Sequence, residues 1–411
     1  MSGLECRSCG APLRHTFVDL GMSPLSNAFL REDQLNCAEA YYPLHARVCE
    51  QCFLVQLEEF ERPEKIFGEY SYFSSFSETW LRHAREYAEA AIDRFGLNAQ
   101  SLVVEVASND GYLLQYFQKR GIRVLGVEPA QNVARAAEEK GIPTLVKFFG
   151  TQTAAEMQAA GRQADLLVAN NVLAHVPDLR DFLAGLHVAL KLRGTLTLEF
   201  PHLLRLIRDN QFDTIYHEHF SYFSFLTAED LLKRHGLSVF DVEEISTHGG
   251  SLRVYACHTE DGSREPHVRV QGLREAETKA GLRTLETYAG FGQKVRETKR
   301  ALLKFLVAAK DTGKSVVGYG AAAKGNTLLN YCGIGRDFLD YVADISPHKQ
   351  GQYLPGMHIP IFPPGRLRET RPDYVLILPW NLREEIVGQL AYIREWGGRF
   401  VVPIPTTRVI E

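Results

Sequence analysis

The stretch that most restricts the fold runs from Leu102 to Lys140. Leu102-Val103-Val104-Glu105-Val106 is a short apolar run and reads as a buried strand. It leads into the small-residue turn Ala107-Ser108-Asn109-Asp110-Gly111-Tyr112, and a helix is predicted over 113–120. A second strand over 123–127 ends at Glu128-Pro129, and a helix over 130–140 follows. Strand, turn, helix, strand and acid in this order form the first half of a doubly wound nucleotide-binding sheet. The acid closing the second strand can accept both ribose hydroxyls of an adenosine.

The text that follows extends the sheet. A strand over 164–169 ends at Asn170 and Asn171, and polar groups at the carboxyl end of such a strand face the ligand crevice. His175 stands four residues beyond Asn171, so the two share a face if a helix starts there. A helix over 181–190 and strands over 194–200 and 251–257 come next. Two cofactors compete for the first turn. A dinucleotide needs GxGxxG so that pyrophosphate can approach the backbone. Here those positions are Ala107, Asn109 and Tyr112, so the phosphate cradle is missing. S-adenosylmethionine (SAM) carries no phosphate and does not need one. Glu105 is an unusual residue inside a buried strand and can meet the amino end of a zwitterionic ligand; Asn109, Gly111, Glu128 and Asn170 complete the candidate cofactor set.

Four of the seven cysteines fall in two pairs, Cys6-Arg-Ser-Cys9 and Cys49-Glu-Gln-Cys52. Two such turns can surround one Zn²⁺ tetrahedrally. A redox CxxC normally opens a helix after a strand, and Cys6 lies too near the start of the chain for that. Four thiolates leave no open coordination position, so the expected metal is structural. Cys37, between the pairs, has no assigned role. Net charge is −4 over 411 residues, which argues against a broad nucleic-acid footprint. No apolar run approaches the roughly 20 residues that span a bilayer. The first residues lack a basic flank and apolar core, so no secretory signal is read. A cytoplasmic location with reduced thiols is expected.

Residues 70–77 alternate aromatics and hydroxyls, which fits a half-buried strand or a loop folding phenols over a polar ligand. Residues 78–95 read as a helix capped by Ser77 or Thr79. The densest chemistry lies in Tyr216-His217-Glu218-His219-Phe220-Ser221-Tyr222-Phe223. In an extended backbone the two His share one face, and Tyr216 and Glu218 share the other; a turn would relax this. The His spacing is too short for a helical two-His metal site. An imidazole can take a proton from an acidified carbon near neutral pH, a phenol can donate to an oxyanion, and a carboxylate can orient either an imidazole or a sugar hydroxyl. Further on, a polar helical stretch over 264–310 leads to a strand over 315–319. The turn Gly320-Ala321-Ala322-Ala323-Lys324-Gly325-Asn326 opens a helix there, where backbone N–H groups and the Lys324 charge would attract phosphate, with Ala322 beside it. Strands over 341–344 and 373–378 make this a second doubly wound sheet. The chain is therefore read as α/β in three parts: a zinc-binding domain over 1–68, a Rossmann-like SAM domain over 69–288 and a Rossmann-like domain over 289–411 whose turn is read as a diphosphate site.

The paired CxxC, Glu105-Val-Ala-Ser-Asn-Asp-Gly111, Tyr216-His-Glu-His219 and Gly318-Tyr-Gly-Ala-Ala-Ala-Lys-Gly325, in this order, resemble the SAM-dependent nucleotide-sugar C-methyltransferases. The resemblance covers essentially the whole chain. It implies a nucleotide-linked 4-keto-deoxysugar as substrate, methylated at C3 with inversion. It implies His219 as general base with Tyr216 and Glu218 beside it, Tyr70, Asn171 and His175 lining the sugar pocket, and Glu128 as SAM ribose ligand. Two other classes are weighed: an NAD-dependent sugar-nucleotide oxidoreductase or epimerase, and a non-catalytic sugar-nucleotide-binding protein.

Overall fold

The structure, a computed structural model, describes residues 4–62 and 73–410. The chain divides into two compact units, and neither is contiguous in sequence. The first takes Met1–Leu13, Cys49–His202 and Phe220–Arg283; the second takes Arg14–Val48, Leu203–His219 and Thr284–Glu411. The chain thus leaves the first unit between the two CxxC pairs. It leaves again for the segment that ends in Tyr216–His219. The insert between the cysteine pairs forms strands β1 (His15–Ser23) and β2 (Tyr42–Val48), paired antiparallel in the second unit. Phe17 on β1 lies flat on Phe291, with ring centroids 4.4 Å apart and planes at 1°.

In the first unit, β3 (Val55–Gln56) precedes the main sheet. That sheet uses β4 (Leu102–Val106), β5 (Arg123–Val127), β6 (Thr144–Leu145), β7 (Ala164–Asn170) and β8 (Leu190–Pro201). Next, β9 (Ser221–Tyr222) pairs with β3, and β10 (Leu237–Ile245) and β11 (Ser251–His258) complete seven strands in the order β10-β11-β8-β7-β4-β5-β6. The central strand β4 is buried along its whole length, which is why its text is apolar without alternation. Leu102, Val104 and Val106 enter one apolar cluster and Val103 the other. Glu105 therefore faces the Val103 side, a carboxyl set among apolar neighbours. From β4 the chain moves outward through β5 and β6, then returns to β7 on the opposite flank. This reversal opens a crevice at the carboxyl ends of β4 and β7.

The helix Glu78–Phe95 covers part of this sheet through Ala84, Tyr87, Ala88 and Ala91, spaced three and four apart. Ser77 caps it by accepting from the Trp80 N–H, a contact worth about 1 kcal/mol, and Gly96 ends it in the left-handed region at φ 62°.

The second unit has its own sheet: β12 (Val316–Tyr319), β13 (Val342–Ala343), β14 (Ile361–Phe362), β15 (Tyr374–Ile377), β16 (Arg399–Val402) and β17 (Arg408–Ile410). The order is β14-β13-β12-β15-β16-β17, parallel except for β17. Strand order reverses between β12 and β15, as it does between β4 and β7 in the first unit. Gly320 follows β12 at φ +87°, and a Cβ there would stand 2.5 Å from Pro379, so the turn admits only glycine. The stretch read as one helical run over 264–310 is three helices, Val268–Lys279, Leu285–Ala289 and Phe291–Asp311. No helix among the described residues is long and apolar enough to cross a membrane.

Candidate functional site

The four paired cysteines converge in the first unit, with their sulfurs all within 4.8 Å of one another. Cys6 and Cys52 Sγ are 3.5 Å apart, as are Cys9 and Cys49. Sulfurs at the corners of a zinc tetrahedron stand about 3.8 Å apart, given Zn–S near 2.3 Å. Gln56 Nε2 donates to Cys6 Sγ at 3.2 Å and the Gln51 N–H to Cys49 Sγ at 3.4 Å, the donors a thiolate accepts from. The set therefore fits a structural zinc with no open position. Cys37 is exposed and stands outside it.

At the carboxyl end of β4 the backbone is bent hard. Ala107 and Asn109 both have positive φ, 57° and 49°, and Asn171 at the end of β7 has φ 53°. Non-glycine residues in this region cost on the order of 1 kcal/mol each, and they cluster where function over-determines the backbone. Glu128, closing β5, accepts from the Asn109 N–H at 3.0 Å and the Ala130 N–H at 2.9 Å. Burial raises its pKa, and these two donors pull it back. Asn109 Oδ1 accepts from the Ser74 N–H at 3.0 Å, within the short 3₁₀ turn Ser74–Phe76. The described part of the aromatic-hydroxyl run is thus a loop on the cofactor turn rather than a strand. Tyr70 lies outside the described residues.

Glu105 is buried, and neither of its oxygens has a hydrogen-bond partner among the described residues. Burial drives its pKa well up, and the carboxylates of Glu128 and Asp110 push the same way; the Tyr112 phenol, not within hydrogen-bond geometry of either oxygen, draws it back. Buried side-chain oxygens of Asn170 and Asn171 are also unpartnered. Orphaned acceptors at the reversal between β4 and β7 fit a ligand bringing an ammonium and hydroxyls, as SAM does. Gly111, at φ +74°, serves packing: a Cβ would meet Ile142 at 2.9 Å. Trp80 stacks on Tyr112 at 5.9 Å and on His83 at 5.0 Å beside this turn. His83 Nε2 bonds Glu199, which also holds Arg253. These last residues are scattered along the sequence, and nothing in their local text marks them. Asn171 and His175 do not share an α-helical face, because only a 3₁₀ turn, Leu173–His175, forms between them. The Phe220 N–H donates to the Ala174 carbonyl at 2.7 Å.

In the second unit the Tyr-His-Glu-His segment is a turn, closed by the His219 N–H donating to the Tyr216 carbonyl at 2.9 Å. This separates the two imidazoles. His217 is buried, donates from Nε2 to the Pro43 carbonyl at 3.2 Å, and has its pKa lowered by burial. His219 Nδ1 faces the Thr214 carbonyl at 2.9 Å. A carbonyl only accepts, so Nδ1 carries the proton and the lone pair of a neutral His219 sits on Nε2. The Tyr216 ring lies 4.1 Å from the His219 ring. Glu218 is buried and accepts from Asn27 Nδ2 at 2.6 Å. Burial pushes its pKa up to about 7, with the Asn27 amide opposing.

Lys324 stands in the first turn of the helix Ala323–Cys332, whose N-cap is Ala322. Its Nζ donates to Asn381 Oδ1 at 2.8 Å and lies 4.9 Å over the Trp380 ring. Beneath it, Trp380 Nε1 donates to Asp213 Oδ2 at 2.7 Å, and burial lifts the Asp213 pKa to about 7. The lysine expected at a phosphate turn is therefore already bonded to an amide, and burial lowers its pKa, with the Asp213 carboxyl opposing.

Known proteins resemble this chain along most of its length. Residues 6–67 match a family model for a candidate zinc-binding domain, 80–242 one for a methyltransferase domain, and 246–405 one for a C-methyltransferase C-terminal domain. The chain is 37% identical to the C-methyltransferase NovU of Streptomyces niveus, over 99% of this chain and 97% of that one. This chain belongs to the C-methyltransferase family. It is a SAM-dependent methyltransferase with a zinc-binding module. A shorter likeness, 37% identical over 20% of this chain and 32% of the other, is to a ubiquinone biosynthesis O-methyltransferase of Methylobacterium sp. (strain 4-46). Among solved structures, magnesium protoporphyrin IX methyltransferase from Synechocystis PCC 6803 with bound SAM aligns at 14% identity over 47% of this chain and 88% of that one, with a TM-score of 0.33. At that level of likeness nothing about chemistry transfers.

Proposed function

We propose that the enzyme methylates C3 of a nucleotide-linked 4-keto-deoxysugar after His219 has removed the C3 proton. The observation that carries this reading is the bond from His219 Nδ1 to the Thr214 carbonyl, which directs the basic lone pair to Nε2. A C–H bond is too weak an acid for imidazole unless a ketone adjoins it. With the ketone at C4, the C–H electron pair moves into the C3–C4 bond and the negative charge onto the ketone oxygen, while Nε2 takes the proton. Tyr216 or His175 is assigned to donate to that oxygen, and Glu218 to hold the imidazole or a sugar hydroxyl. SAM supplies an electrophilic methyl for the resulting carbanion, and its sulfur leaves as a neutral thioether with the C–S pair. Placement of the two carbons and stabilisation of the oxyanion are the protein's main contributions.

The cofactor set is Glu105, Asn109, Glu128 and Asn170, on the turn that Gly111 lets pack close; the sugar set is Tyr70, Asn171 and His175. The nucleotide diphosphate is assigned to the turn at Ala322 and Lys324, supported by the second strand-order reversal and the helix start there. The test is mass spectrometry and NMR of thymidine-diphospho-4-keto-6-deoxyglucose incubated with SAM and enzyme. One added methyl at C3 is expected. A 4-ketone acidifies C5 as well, so a methyl at C5 would overturn the position and keep the chemistry. Product without a methyl, or turnover that depends on NAD, would overturn the reading.

A further inference from the structure

We propose that Asn27 is a positioning residue for the methyl-transfer site, and that the insert between the two cysteine pairs is the platform that holds the Tyr216–His219 turn. This rests on the reading of that turn as catalytic. The insert, Arg14–Val48, belongs to the second unit although its flanking cysteines belong to the first. It is fastened there at several points. Phe17 stacks on Phe291 at 4.4 Å. Leu30 and Tyr353 exchange backbone hydrogen bonds at 3.0 and 2.8 Å. Glu39 accepts from the Gly356 N–H at 2.8 Å and pairs with His358 at 3.1 Å.

From this fixed frame two groups reach the turn. The Pro43 carbonyl accepts a hydrogen bond from His217 Nε2, with the Tyr42 ring edge-on to the imidazole at 5.8 Å. The Asn27 amide donates to Glu218 at 2.6 Å. Its neighbour Ser26 bonds Thr327 at 3.4 Å, and the Thr327 hydroxyl donates to the Ile215 carbonyl at 3.3 Å. Residues 215, 217 and 218 are thus each tied, directly or through Thr327, to the insert. A short hydrogen bond from an amide to a buried carboxyl helps to set the orientation of that carboxyl. A shift of about 1 Å in such a group costs on the order of 10²-fold in rate.

The test uses the full zinc-loaded chain and four proteins: wild type, Asn27→Asp, Glu218→Gln and the double variant. Asn27→Asp keeps the shape and replaces the donor with an acceptor. The double variant restores the hydrogen bond with donor and acceptor exchanged. Deuterium exchange beside the ketone of thymidine-diphospho-4-keto-6-deoxyglucose in D₂O, unfolding temperature and SAM affinity are measured. Asn27→Asp is expected to slow exchange about 10–100-fold, with SAM affinity unchanged. The double variant is expected to recover the unfolding temperature but not the exchange rate, because the carboxyl has moved to the wrong residue. Exchange at the wild-type rate in Asn27→Asp, with or without a lower unfolding temperature, overturns the proposal. Wild-type exchange in Glu218→Gln, or none in the wild type, overturns instead the catalytic reading on which it rests.

Discussion

The two sheets of the enzyme solve the same construction problem with opposite chemistry. Each has a central strand, a turn, and an acid closing the next strand. In the first unit Glu128 clamps the N–H groups of Asn109 and Ala130. In the second Asp344 clamps those of Ala321 and Ser346, at 2.6 and 2.7 Å. The difference lies one step away. Glu105 sits inside β4 with unpartnered oxygens, whereas the matching place near the end of β12 is Gly318, where a Cβ would meet Val342 at 2.8 Å. The second turn instead carries Lys324 at its helix start. The two sheets share a reversal of strand order at the turn and differ in the side chain beside it, a buried carboxyl in the first and a half-buried lysine in the second.

The comparison can be broken most forcefully at the metal. Among the described residues the zinc-ligand cluster lies in the first unit, so stripping the metal with a mercurial and a chelator is expected to release one zinc per chain and lower the unfolding temperature by about 10 °C or more. A metal-free preparation that unfolds at the same temperature would contradict the zinc assignment. Next in size is His219→Ala, in the second unit. Methyl transfer and C3 exchange are expected to fall about 10²–10⁴-fold, while calorimetry shows SAM bound as before. Retained exchange would point to another base.

A paired test sharpens the contrast directly. Glu128→Ala is expected to weaken SAM binding about 10–100-fold and leave the sugar nucleotide untouched; Asp344→Ala is expected to do the reverse. Equal losses for both ligands in either variant would dissolve the distinction. The smallest effect concerns Asp213, whose folded pKa near 7 lies above its ordinary value near 3.8. A raised carboxyl favours folding while protonated and loses that advantage as pH climbs from about 4 to 7. Asn cannot ionise, so Asp213→Asn is expected to gain a few degrees over wild type at pH 8 and less at pH 5. A difference independent of pH would argue against the shift.

Much of the sheet framework was readable because buried central strands leave continuous apolar text. The strands over 102–106 and 123–127 and the helix over 78–95 stand where the pattern puts them, and of the two caps read, Ser77 and Thr79, Ser77 is the one formed. The four-cysteine cluster was readable because ligand spacing is local. The turn at 217–218 was not, since period-two alternation and a tight turn produce the same letters. The surroundings of the two imidazoles were beyond the text as well: His217 bonds a carbonyl from Pro43 and His219 one from Thr214. Asn27 and Asp213 carry no sequence signal, because a side-chain bond spanning 191 or 167 residues has no periodicity to betray it. Contiguous domains were the natural reading of a linear string; the grouping of Arg14–Val48 and Leu203–His219 with Thr284–Glu411 depends on long-range packing alone.

That interleaving bears on how such enzymes can be recombined. A single crossover between two relatives, wherever it falls before Thr284, leaves at least one unit built from both parents. Exchanging the second unit intact takes three separate gene segments moved together. Chimeras cut at the boundaries of the matched families would therefore inherit mismatched halves of the same core, and the rarer ones that respect the crossings are the ones expected to fold.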